Sequence, residues 1–163
     1  MVCKSYIEKN LRRLNYLYNH PQSTQDSLFY AKLAIMELCG WIEVSMDDII
    51  LRLAKKNLSE ATNITYIKTE IIKRTYGFEY DRHILPMIEA VIGRSGIEHF
   101  HKTINAPIFL QFTGALTALK TPRNQHAHEY IKNVTLSIDA PSVTFVKFSF
   151  IYAGLKEIER VLL

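Results

Sequence analysis

The sequence predicts an all-α protein, a helical bundle with one unusually long second helix and a helix at its carboxy-terminal end. Apolar residues recur at steps of three and four along most of the 163 residues. The stripes are separated by Pro, Gly and Ser/Asp/Asn positions suited to helix ends, and period-two alternation is confined to one short stretch. The length and a composition of 48% hydrophobic and 22% charged residues fit a single globular domain over 1–163. No internal repeat, low-complexity tract or linker argues for a second one.

Taken in order, residues 5–19 place Tyr6 or Ile7, Leu11, Leu14 and Tyr18 on one face, and His20-Pro21 ends the pattern. Ser23 and Asp26 form a capping-box-like start. Leu28, Ala31, Ile35, Leu38, Ile42, Met46, Ile49 and Leu53 then keep one stripe to about Lys56, enough to cross the domain. A third helix is expected from a Ser59 cap, carrying Ile64, Ile67, Ile71 and Ile72 and closed by Tyr76-Gly77. A fourth runs from Asp81 to Ile92 with Pro86 near its first turn, broken by Gly93 and Gly96 before a short turn through Phe100. Asn105-Ala106-Pro107 opens a fifth, with Ile108, Phe112, Ala115, Leu116 and Leu119 on one side. Val134, Leu136 and Ile138 alternate like a short strand, and Val143 to Tyr152 admits a hairpin. The 3,4,3,4 spacing of Phe148, Ile151, Leu155, Ile158 and Leu162, with Pro141 suited to a first turn, favours a helix from about 142.

A net charge of +4 and a pI near 9.0 are compatible with an acidic partner such as RNA but fall short of a dedicated nucleic-acid coat. Cys3 and Cys39 match no metal or redox spacing, as expected of a reduced, cytoplasmic protein. The amino terminus has no apolar core of signal-peptide length. The Val143–Leu155 run is interrupted by Lys147 and too short to span a bilayer, so no membrane association is expected.

The densest chemistry lies in Arg123-Asn124-Gln125-His126-Ala127-His128-Glu129-Tyr130, directly after Thr121-Pro122. With Thr121 as N-cap and Pro122 at N1, a new helix would aim its free N–H groups and positive dipole end beside Arg123, a setting suited to phosphate. Asn124 and His128, four apart, would share a face on which the amide orients the imidazole. Arg123 and His128, five apart, diverge by about 140° at 3.6 residues per turn. One helix therefore makes no compact site, whereas two copies across a two-fold axis could converge on one phosphodiester. An imidazole would take a 2′-hydroxyl proton while a guanidinium neutralises charge on the phosphate oxygens, with no cofactor needed. Arg13–His20 and Arg94 with His99 or His101 show related spacing without that context. The i,i+2 histidine pairs point about 200° apart on a helix and gain no thiolate or acidic ligand, so no metal site is expected.

The Arg-x4-His motif, with a polar residue after the arginine and a small one before the histidine, resembles the signature of the HEPN (higher eukaryotes and prokaryotes nucleotide-binding) superfamily of all-helical domains. Trp41-Ile42-Glu43 on the long helix, Ile92-Gly93 with Gly96, the helix ending Leu116–Lys120, and Asp139-Ala140-Pro141-Ser142 before the last helix also fit that resemblance, which covers most of the chain from about residue 25. It implies a homodimer with a composite cleft, RNA as substrate, and metal-independent cleavage to a 2′,3′-cyclic phosphate. It also implies a role as a toxin or phage-defence component, with an antitoxin or defence-operon partner. Arg123 and His128 are the expected catalytic pair, with Asn124, His126 and Glu43 in support. His126 as a solvated histidine, and Glu43 as a partly exposed helix carboxylate, are the plainer readings. Tyr130 completes Arg-x4-His-x-Tyr, similar to the form in HEPN toxins silenced by adenylylation of that tyrosine; a packing tyrosine is the alternative. A non-catalytic HEPN-like module that binds nucleotide or RNA, or dimerises as the partner of a nucleotidyltransferase or ATPase, is the second expectation.

Overall fold

In a computed structural model, which describes residues 1–128, 130–131 and 137–163, the regular elements are all helical. Helix α1 spans Ser5–Asn19 and α2 spans Thr24–Asn57. A short α3, Ala61–Tyr66, continues as a π turn, Ile67–Ile71, and a 3₁₀ turn, Ile72–Arg74. A second π turn, Tyr80–Ile84, leads into α4, Leu85–Thr103; α5 is Ala106–His128 and α6 is Pro141–Leu162. Val134 and Leu136 lie outside the described residues. The hairpin alternative fails at Val143–Tyr152, which is helical within α6.

Helix α2 is the axis of the molecule. Its 34 residues reach about 50 Å at 1.5 Å per residue, and it packs against α1, α4, α5 and α6. The Ser23 hydroxyl caps it by accepting the Asp26 N–H at 3.2 Å, as the sequence suggests. All eight stripe residues from Leu28 to Leu53 are buried, and Ala34, Cys39, Ser45, Ile50 and Ala54 are buried beside them. With neighbours on several sides, the helix needs an apolar face wider than one stripe.

The outer helices supply the rest of the core. On α1 it is Ile7, with Leu11 and Leu14, that turns inward, while Tyr6 is exposed. Phe112, Leu116 and Leu119 of α5 meet Phe148, Ile151, Leu155 and Ile158 of α6 in the same cluster. Helices α5 and α6 approach closely because Gly154 has no side chain: a Cβ there would overlap Cβ, Cγ and Cδ2 of Phe112. Glu157 ties the same pair of helices. Its Oε1 accepts the Asn105 N–H at 2.8 Å, just ahead of α5, and its two oxygens hold the Arg160 guanidinium.

Three expected boundaries move. Helix α3 begins after Glu60 with no side-chain cap, so Ser59 is not its cap, and only Ile67 of its four isoleucines is buried. Gly93 does break regular geometry, with φ 67° and ψ 178°, but the helix resumes at once and runs to Thr103. Such a backbone conformation is essentially reserved for glycine, so Gly93 acts as a kink and Gly96 lies inside the continued helix. The third change, at Pro122, bears on the site.

Candidate functional site

Helix α5 does not stop at Thr121-Pro122. It continues through Pro122 to His128, so Thr121 is not an N-cap and no set of free N–H groups points at a phosphate beside Arg123. A proline inside a helix removes one ladder hydrogen bond and costs about 3 kcal/mol. Burial offsets that cost: Leu119 and His126, seven residues apart on one face, are both buried, so the packed stripe of α5 extends across the proline.

The continuous helix sets the geometry of the expected residues. Arg123 is 30% exposed; its Nη2 lies 3.4 Å from Glu43 Oε1 on α2, and its Nη1 donates to Asn124 Oδ1 at 3.1 Å. Glu43, expected either in support of the site or as a partly exposed helix carboxylate, is partly exposed on α2 and is the partner of the arginine. The Asn124 oxygen is taken up by Arg123 and, among the described residues, no hydrogen bond joins Asn124 to His128. His126 is buried, at 8% exposure, and is not the solvated residue expected. His128 is exposed at the end of α5, about 140° around the helix from Arg123. Tyr130 is 71% exposed. Within one chain, the structure therefore brings Arg123, Asn124 and Glu43 together and leaves His128 apart from them.

Other residues join Arg123 instead. Lys120, three positions earlier, lines the same small cleft of about 50 Å³ with Glu79, His83, Arg123 and Asn124. Its Nζ lies 2.7 Å from Glu79 Oε2, and this hydrogen bond holds the Glu79 carboxyl below its ordinary range. His83 Nδ1 accepts the Glu79 N–H at 3.1 Å, so the neutral ring carries its proton on Nε2. Burial holds His83 below the ordinary imidazole range, against the opposing pull of Glu79. Gly77 makes the room: at φ 131° it sits where a Cβ would come within 2.8 Å of the His83 ring.

Along α2, Cys39, Glu43 and Asp47 follow at four-residue steps. Burial pushes the Cys39 thiol up to about 12, an effect opposed by Arg123 and reinforced by Glu43. Burial and the neighbouring Glu43 charge push the Asp47 carboxyl up to about 6. The sequence signal for Lys120 was its i,i+3 relation to Arg123, hidden by reading a helix boundary between them; His83, Glu79 and Asp47 come from separate segments and have no local signature. The residues with similar Arg–His spacing go elsewhere: Arg94 is 92% exposed and pairs with Glu89 at 3.1 Å, and the His20 ring stacks on Tyr16.

A larger cavity of about 790 Å³ adjoins this cleft, sharing Glu79 and Lys120 as walls and extending along α5 to Phe109, with His101 of α4 beside it. Among the described residues, no group of three His, Cys, Asp or Glu side chains is placed to hold a metal ion, and no helix is long and apolar enough to cross a membrane. Comparison of the chain with models of known protein families, with curated proteins and with solved structures finds no match.

Proposed function

We propose that the chain is a metal-independent endoribonuclease of the HEPN type, acting as a homodimer whose two α5 helices each contribute Arg123 and His128 to one composite site. The observation that carries this reading is the division of labour along α5. A guanidinium is anchored in a cleft by Glu43 and Asn124, and an exposed imidazole lies five residues on. A second copy is required because the two side chains diverge on their own helix.

In the proposed reaction, one His128 imidazole accepts the 2′-hydroxyl proton and the 2′-oxygen attacks the adjacent phosphorus. The bond to the 5′-oxygen breaks, and that oxygen takes a proton from the second His128, acting as the general acid. The products are a 2′,3′-cyclic phosphate and a 5′-hydroxyl. Arg123 stabilises the charge that gathers on the non-bridging oxygens; with one N–H turned to Asn124 and another to Glu43, donors remain for a phosphate. Proton transfer of this kind is worth about 10²–10⁴ in rate. Roles as toxin or defence component belong to the same reading.

The Arg123–Glu43 pair favours one alternative, a non-catalytic module that binds RNA or nucleotide or partners a nucleotidyltransferase or ATPase. There the guanidinium is a structural cation, and Tyr130 is the residue a nucleotidyltransferase would modify. Incubation of purified protein with RNA in EDTA separates the two readings. Cleavage that is lost in Arg123→Ala and in His128→Ala, with the helical circular-dichroism signal unchanged, supports the ribonuclease. An inert wild type, or activity retained in both variants, overturns it.

A further inference from the structure

We infer that the cavity between the Tyr80–Ile84 turn and α5 is a nucleotide-binding subsite, with a base against its ring-lined end and a phosphate at Lys120. At about 790 Å³ it has the size of a small-molecule pocket, whereas the cleft at Arg123, at about 50 Å³, holds no more than a small group.

The two ends of the cavity differ in chemistry. At one end Tyr80, His101 and Phe109 cluster, Tyr80 and Phe109 edge to face with centroids 4.7 Å apart. The Tyr80 hydroxyl and His101 Nε2 are hydrogen-bonded at 2.9 Å. A planar heteroaromatic ring suits such a wall, with apolar faces to cover and a hydroxyl–imidazole pair to meet its edge. Phe109 and Lys120 are eleven residues apart on α5, about 16 Å along the axis. Eleven residues bring them to within about 20° of the same face, and Lys120, its ammonium at Glu79, lines the cavity together with Leu116 and Thr117. The Thr113 and Thr117 hydroxyls between them donate to carbonyls of their own helix, leaving that middle stretch without committed donors for a ligand, as a sugar spacer would tolerate. Glu79 neutralises Lys120 when no ligand is present, so an incoming phosphate displaces a carboxylate there. Because Glu79 and Lys120 wall both spaces, a phosphate at Lys120 stands next to Arg123; in this respect the inference rests on the ribonuclease reading and names the subsite beside its arginine.

The test is isothermal titration of the full chain in EDTA with the four nucleoside monophosphates, their nucleosides, and a short single-stranded RNA whose 2′-hydroxyls are methylated so that it cannot be cleaved. Saturable binding is expected, weakened about tenfold or more by Phe109→Ala. The same loss is expected from Thr117→Trp, which fills the cavity from the exposed side of α5 and spares the core. Lys120→Gln weakens monophosphate binding and leaves the nucleoside unaffected, while Glu79→Gln tightens the monophosphate. Saturation by a mononucleotide assigns the cavity to a free nucleotide, and saturation by the strand alone assigns it to one residue of an RNA; both support the inference. It is overturned if no probe binds at millimolar concentration, or if binding is unchanged in folded Thr117→Trp. Cleavage without such binding removes the subsite and keeps the ribonuclease; binding without cleavage does the reverse.

Discussion

Replacing Gly154 with alanine adds one methyl group at the tightest contact between α5 and α6, and its cost follows from the structure. The new Cβ overlaps Cβ, Cγ and Cδ2 of Phe112, a fully buried ring whose root atoms cannot swing aside as the tip of a flexible chain would. Relief requires the two helices to separate by about 1 Å, and a gap of that size forfeits a quarter to a half of the dispersion attraction between the facing atoms. Overpacking of this kind costs about 1–3 kcal/mol, rising where backbone must move, against a gain of about 1 kcal/mol from helix propensity. A net loss of about 2 kcal/mol is expected, or about 4–8 °C in Tm for a chain of this length. Gly40→Ala and Gly114→Ala are the controls: a Cβ at either meets nothing within 4 Å, so each should stabilise by about 0.5–1 kcal/mol. Thermal unfolding followed by circular dichroism gives both signs in one experiment. A Gly154→Ala protein as stable as wild type would refute the α5–α6 packing, and with it the support beneath Arg123.

Two pH-linked predictions follow from the carboxylates. Asp47 has its pKa raised to about 6 in the fold, so the stability tied to its protonated form is complete below the ordinary aspartate range and is lost as pH rises through about 6. Asp47→Asn should therefore stabilise by about 1–2 kcal/mol at pH 7 to 8, allowing for solvent screening, with the gain gone by about pH 4; denaturant titrations at the two pH values check this, and a pH-independent gain would contradict it. Glu157 runs the other way. The Arg160 guanidinium, aided by the Asn105 N–H and opposed by burial, holds its carboxyl down at about 2, so its contribution is present above the ordinary glutamate range and fades as pH falls through about 2. Glu157→Gln should cost about 1–3 kcal/mol at pH 7, a deficit that narrows as pH drops below about 4.5.

Most of the fold was legible because helix periodicity is a local signal. The α2 stripe, the Ser23 cap, the inward residues of α6 and the Pro141 start all follow from spacing within one helix. Pro122 shows the limit. Thr-Pro is a sound local start signal, yet burial of Leu119 and His126 against other elements overrides it, and burial is not written in the local sequence. The site followed the same division. Arg123, Asn124 and His128 are close in sequence and were visible there. Glu43 is the arginine's partner across 80 residues, a pairing with no local sequence signature. His83, Lys120 and Asp47 became visible only once helices distant in sequence, or joined through a proline, were placed side by side.

The dimeric composite site is tested most directly by mixing two inactive proteins. Arg123→Ala and His128→Ala, each silent alone on RNA in EDTA, are denatured together, refolded as a mixture and assayed against each protein refolded separately. If one site draws on both copies, the mixed dimer retains one arginine and one histidine at that site, enough for one of the two proton transfers with water serving the other, and a small part of the wild-type cleavage returns. A mixture as silent as its components, from a wild type that is active and strictly monomeric, would contradict the composite site.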